Sequence, residues 1–222
     1  MAEENKELTR EQEGALEAER EGAAPAGQEP EEEKEPETLE GMIYCWAQAL
    51  ITAVVSVVLL FTFAVRLIGV SGPSMQDTLY TGDRLLVLNA AYCDFKAGDV
   101  VVINDYNAEL SDTLVKRIIA VGGQTVDIDF STGTVYVDGQ ELDEPYIKEP
   151  TYTTDGTVFP LTLAEDEVLV MGDNRNHSTD SRSPKLGPVK RGYLQGKAVF
   201  LLMPGRTPDT DKSDWSRVGV VR

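Results

Sequence analysis

Leu114-Val-Lys-Arg-Ile-Ile-Ala-Val121 decides the fold: eight residues, mostly β-branched or otherwise apolar, running straight into Gly122 and Gly123. Similar short runs recur at 84–88, 100–103, 125–128, 134–137, 168–171 and 197–202. Gly-Asp pairs beginning at Gly82, Gly98 and Gly172, and Asp138 followed by Gly139, supply the turn residues that punctuate an antiparallel sheet. No stretch in this part of the chain has the length and period of a long amphipathic helix. The pattern predicts a mainly β, antiparallel domain over residues 70–206. Residues 144–166, rich in Pro, Thr and acidic groups, read as a long excursion from its core, and 207–222 as a C-terminal tail.

Upstream the pattern changes. Residues 42–65 are 24 positions without a formal charge, dense in Ile, Val, Leu, Ala and Phe. As a helix they would reach about 36 Å, enough to cross a bilayer once. A cleaved signal sequence would have a basic leader and a shorter apolar run at the extreme N-terminus, so a permanent anchor is expected. Tyr44 and Trp46 suit an interfacial belt at one end and Arg66 stops the other. Lys34 on one side and Arg66 and Arg84 on the other leave the orientation undecided by charge.

The net charge of −18 is concentrated at the start: residues 1–40 hold fifteen Glu against four Lys and Arg, a net of −11. Such a segment cannot bury enough surface to offset its ordering entropy and is expected to be disordered. A chain this acidic offers no basic patch to release phosphate counterions, which disfavours nucleic acid as a partner. Cys45 lies in the apolar stretch and Cys93 in the β region, so no disulfide framework is implied.

The chemistry is narrowed by what is scarce. With one histidine, His177, and no His near either Cys, thiol proteases and His-rich zinc sites have little to work with. Phosphate-cradling GxxxxGK and GxGxxG loops are absent. A hydrolytic nucleophile would need another base. Period-2 geometry puts Lys116 on one face with Leu114 and Ile118, where desolvation disfavours the ammonium and can yield a neutral general base. Taken alone, the segment favours instead an amine that reaches solvent or pairs with an acid. Ser74, in the loop between the apolar stretch and the first run, is the candidate nucleophile; Gly72 and Pro73 beside it fit either a tight oxyanion-binding turn or a simple linker. The polar segment 171–182 follows a strand. Within it Asp180 and Arg182 can pair, and Ser178 can hydrogen-bond a buried lysine amine.

Together SMQDTL (74–79), VKRIIAVGG (115–123) and GDNRNHSTDSR (172–182) resemble the boxes of the signal peptidase I family. The likeness touches most of residues 70–204, and the third box is the most specific. It implies Ser74 as nucleophile, Lys116 as general base, Ser178 as the hydroxyl orienting that lysine, and Asp180–Arg182 as a supporting ion pair. It further implies signal-peptide removal from secretory preproteins after an Ala-x-Ala pattern, at the outer membrane surface, with no metal or cofactor. The implied fold is the antiparallel β-rich one shared with self-cleaving repressor proteases, in a monomer held in the lipid bilayer by one N-terminal transmembrane helix. The tail, 1–40, would be cytoplasmic and the domain extracytoplasmic, with substrate bound as an added strand.

Two positions depart from the boxes. Asp77 replaces the usual proline, and Gly72 stands where some members carry a serine that joins the oxyanion hole, leaving that role to the Ser74 N–H. His177 falls at a position the family leaves variable. Two rivals are a self-processing regulator with the same dyad, which should carry a partner-binding domain, and a catalytically dead receptor for signal peptides.

Overall fold

The computed structural model of the chain describes residues 38–104, 113–208 and 210–221. The disordered tail expected over 1–40 lies outside the described residues up to position 37; Leu39 and Glu40 already belong to a helix. That helix, α1, spans Leu39–Leu59 and widens into a π-type turn, Leu60–Ala64. The 26 residues Leu39–Ala64 are long and apolar enough to cross a membrane, and none of α1 is buried. Val65, expected as the last residue of the apolar span, instead opens a strand.

The remainder is two antiparallel sheets. The first contains β1 (Val65–Gly69), β2 (Arg84–Asn89), β3 (Val100–Ile103), β4 (Leu114–Val121), β9 (Glu167–Met171), β10 (Val189–Lys190), β11 (Leu194–Met203) and β12 (Gly219–Val220). Its order is β1-β2-β11-β3-β4-β9-β10, with β12 on β11. The second contains β5 (Thr125–Asp129), β6 (Thr134–Val137), β7 (Gln140–Glu141) and β8 (Leu161–Thr162), in the order β7-β6-β5-β8. Asp138 (φ 52°) and Gly139 (φ 77°) make the two-residue turn between β6 and β7, a left-handed pair that matches strand twist.

Packing explains why the central strands read as unbroken apolar runs. Val100 and Val102 enter one cluster with Met75, Leu79, Leu85 and Leu201, while Val101 and Ile103 enter another with Ile118, Val170 and Leu194. A strand covered on both faces has no solvent side to make polar. On β9 the same division sends Val168 and Val170 to the second cluster and Leu169 and Met171 to a third, shared with β5 and β6.

Three elements depart from expectation. The stretch 144–166 carries β8, which pairs with β5, and its backbone is tied down by Lys148 N to Asp173 O (3.1 Å), Thr151 N to Gly133 O (2.9 Å) and Thr157 N to Arg182 O (2.9 Å). The segment 207–222 carries a 3-10 turn, Trp215–Arg217, and then β12, paired to Phe200 and Leu201. Finally, β11 begins at Leu194, three residues before the apolar run at 197.

Candidate active site

Ser74 lies on a loop closed at its base by Val70 N to Asp83 O and Gly82 N to Val70 O, both 2.9 Å. Met75 and Leu79 point into the core and fix the loop from beneath. Its upper side is held by the segment after β9. Asn174 donates its backbone N–H to Ser74 O (3.0 Å) and its Nδ2 to Pro73 O (3.1 Å), and Thr78 Oγ1 donates to Asp173 Oδ2 (2.5 Å). The Ser74 N–H donates no hydrogen bond among the described residues.

Gly172 sets the closeness of the parts. A Cβ there would overlap the Ser178 side chain and the Ser74 carbonyl at once, so only glycine lets both approach the chain here. Ser178 Oγ is buried and has no hydrogen-bond partner among the described residues. The bond expected between Ser178 and Lys116 is therefore not formed in this structure.

Lys116, on β4 opposite Val101 of β3, is 2% exposed. Burial pulls its amine down from 10.5 to about 8; the Asp180 carboxylate opposes this, Arg182 adds to it, and Asp173 opposes it. Asp180 is itself shifted. Burial works to raise it, but the hydrogen bonds and charge of Arg182, the Gly172 N–H and the Lys116 charge outweigh that and hold it below the usual carboxylate range.

Around these groups stand three fully buried arginines, each forked onto one carboxylate. Arg117 Nε and Nη2 meet Asp173 Oδ1 and Oδ2 (2.8 and 2.7 Å), while Nη1 reaches Gly98 O and the Tyr146 ring lies 4.0 Å from the guanidinium carbon. Arg182 Nε and Nη2 meet Asp180 Oδ1 and Oδ2 (2.9 and 2.8 Å), the pairing read from the sequence. Arg175 meets both oxygens of Glu144 (2.8 and 2.5 Å) and Thr151 Oγ1 (3.0 Å), bringing in the 144–166 stretch. Asp173, Asn174 and Thr78 are site-shaping residues that sequence reasoning passed over, although two of them follow directly on Gly172. His177 is exposed on a 3-10 turn. Asp77 lies 3.9 Å from the Lys148 amine, an exposed pair at the loop's rim. Among the described residues no three His, Cys, Asp or Glu side chains group as metal ligands would.

A family model described as "Signal peptidase, peptidase S26" matches residues 43–203. The chain belongs to the signal peptidase I family. It is 35% identical over 181 residues to a signal peptidase I from Bacillus amyloliquefaciens, covering 78% of this chain and 94% of that one. It is 36% identical over 163 residues to a probable signal peptidase I-2 from Synechocystis, covering 71% and 72%. A crystal structure of a signal peptidase I from Enterococcus faecalis aligns with TM-score 0.39 and 28% identity, covering 47% of this chain and 97% of that one. Family membership places the chain among membrane-associated serine endopeptidases.

Two outcomes test the geometry of this site. Unfolded, Lys116 holds its proton up to about pH 10.5; folded, only up to about 8. The charged form is thus penalised by roughly 3 kcal/mol at neutral pH, a penalty that fades as pH rises from 8 towards 10.5. Lys116→Met should therefore raise the melting temperature at pH 7, with the gain shrinking over that window; an unchanged or lower melting temperature at pH 7 would contradict the burial argument. Gly172→Ala forces Ser178 away from the Ser74 backbone and should cost about 1–3 kcal/mol in a denaturant titration.

Proposed function

We propose that this chain removes N-terminal signal peptides from secretory preproteins, with Ser74 as nucleophile and Lys116 as general base. The observation that carries the reading is a lysine with 2% exposure and an amine brought down to about 8, on a central strand whose neighbour positions the Ser74 loop. Neutral at mildly alkaline pH, the amine takes the Ser74 Oγ proton as Oγ attacks the carbonyl carbon after a small residue. The Ser74 N–H receives the oxyanion. The resulting ammonium gives its proton to the departing amine of the mature protein, and a water activated by the same lysine releases the signal peptide from the acyl-enzyme. No hydrogen bond joins Ser74 Oγ and Lys116 Nζ among the described residues, which fits a dyad that tightens only with substrate bound. Ser178, with its Oγ unpartnered, is the hydroxyl available to orient the amine at that point.

The apolar helix supplies the anchor in this reading, with residues 1–40 cytoplasmic and 70–206 outside. An extended Ala-x-Ala segment is taken up by strand addition.

Cleavage of a preprotein ending its signal in Ala-x-Ala, by detergent-purified protein, tests the dyad. Ser74→Ala and Lys116→Ala should each lower kcat by about three orders of magnitude or more; equal cutting by the lysine variant removes Lys116 from the mechanism. The neutral fraction of Lys116 falls tenfold per pH unit below its pKa, so wild-type kcat/KM should decline with unit slope below about pH 8. A rate that stays flat down to pH 6 is incompatible with a neutral lysine base.

A further inference from the structure

Arg217 lies fourteen residues beyond position 203, where the family match ends, yet it reaches the Ser74 loop. Its Nη1 and Nη2 fork onto Asp83 Oδ1 and Oδ2 (3.2 and 2.6 Å), and the same Nη2 donates to Thr78 O (3.1 Å). The guanidinium carbon sits 4.4 Å from the centre of the Tyr80 ring. Asp83 is fully buried, and its other contacts belong to the same junction: it accepts from Tyr80 N (2.9 Å) and from Gly205 N (2.6 Å). At Gly205 a Cβ would strike the Thr81 carbonyl and the backbone of Gly82 and Asp83, so the chain leaving β11 presses directly on the loop's base.

Thr78 is thereby gripped from two sides. Its hydroxyl is fixed by Asp173, which Arg117 holds next to Lys116 on β4; its carbonyl is fixed by Arg217. The C-terminal segment that presents Arg217 is itself anchored. Asp214 caps the 3-10 turn by accepting from Ser216 N (3.0 Å), and β12 pairs with β11 immediately after. Between this segment and the loop lies a cavity of about 360 Å³ lined by Thr78, Tyr80, Thr207, Asp214 and Arg217 among others, and the guanidinium makes the polar contacts that cross it.

We infer that the C-terminal segment is a clamp on the nucleophile loop and that Arg217 is a positioning residue for the cleavage reaction, acting through Thr78, Tyr80 and Asp83. The inference rests on Ser74 being the nucleophile. Without the clamp the loop keeps its floor of Met75 and Leu79 but loses the constraint on its far end, so Ser74 samples geometries from which it cannot attack. The loss therefore falls on kcat.

The test measures kcat, KM and melting temperature for full-length wild type, Arg217→Ala, Arg217→Lys and Ser74→Ala on the same preprotein. Arg217→Ala should lower kcat about tenfold with KM changed less than twofold and the acid limb of the pH profile unmoved. Arg217→Lys, which keeps the charge but not the fork, should recover part of the loss. A folded Arg217→Ala enzyme with wild-type kcat, or a change confined to KM, overturns the clamp. Should Arg217→Ala not fold, because it leaves Asp83 buried without its counter-charge, Tyr80→Leu decides: kcat lowered two- to fivefold supports the clamp and wild-type kcat overturns it. Cleavage by Ser74→Ala at the wild-type rate would instead mark failure of the nucleophile assignment.

Discussion

Three guanidinium groups taken wholly out of water, those of Arg117, Arg175 and Arg182, are the constraint around which the site is organised. Removing an ion from water costs several kcal/mol, recovered only when geometry is good and each guanidinium nitrogen finds an acceptor. Each arginine meets that condition with a two-pronged carboxylate and a further backbone or hydroxyl acceptor. What such pairs supply is directionality. Asp173 cannot shift without unpairing Arg117, and Asp173 is also what holds Thr78; Asp180 cannot shift without unpairing Arg182, and Asp180 sits near the lysine.

The same local field sets the character of Lys116. Burial drives its amine toward the neutral form, but a nearby unpaired carboxylate would drive it back. Because Asp180 is already committed to Arg182, its pull on the lysine is blunted by the adjacent positive charge, and desolvation wins. The lowered amine of Lys116 thus depends on an ion pair that has no direct hydrogen bond to it.

Much of this architecture was legible in the residues. The runs at 100–103, 114–121 and 134–137 end where β3, β4 and β6 end, because Gly or polar turn residues flank each of them. Others were hidden for physical reasons. Strand β1 continues an apolar helix without a polar break, so hydrophobicity carries no mark of the change at Val65. The two-residue strands β7, β8, β10 and β12 are too short for a period-2 pattern and exist because tertiary pairing places them. Of the site, the residue types and the Asp180–Arg182 pair were readable. Asn174's grip on the Ser74 backbone was not, since a side chain that bonds a carbonyl a hundred residues away leaves no local trace.

Lys116 and Ser74 belong to regions of unequal stability. β4 is hydrogen-bonded to β3 on one side and β9 on the other, in the interior of the larger sheet, so amides there exchange with solvent only when the body of the domain opens. Ser74 rides on a loop held by single backbone and side-chain contacts and by Met75 and Leu79 beneath it, with no strand ladder on either side, so it opens more readily in local fluctuations. Warming therefore loosens the serine before it disturbs the lysine. With Ser74 as the proposed nucleophile, loss of cleavage on warming is then expected to begin as a local event ahead of global melting.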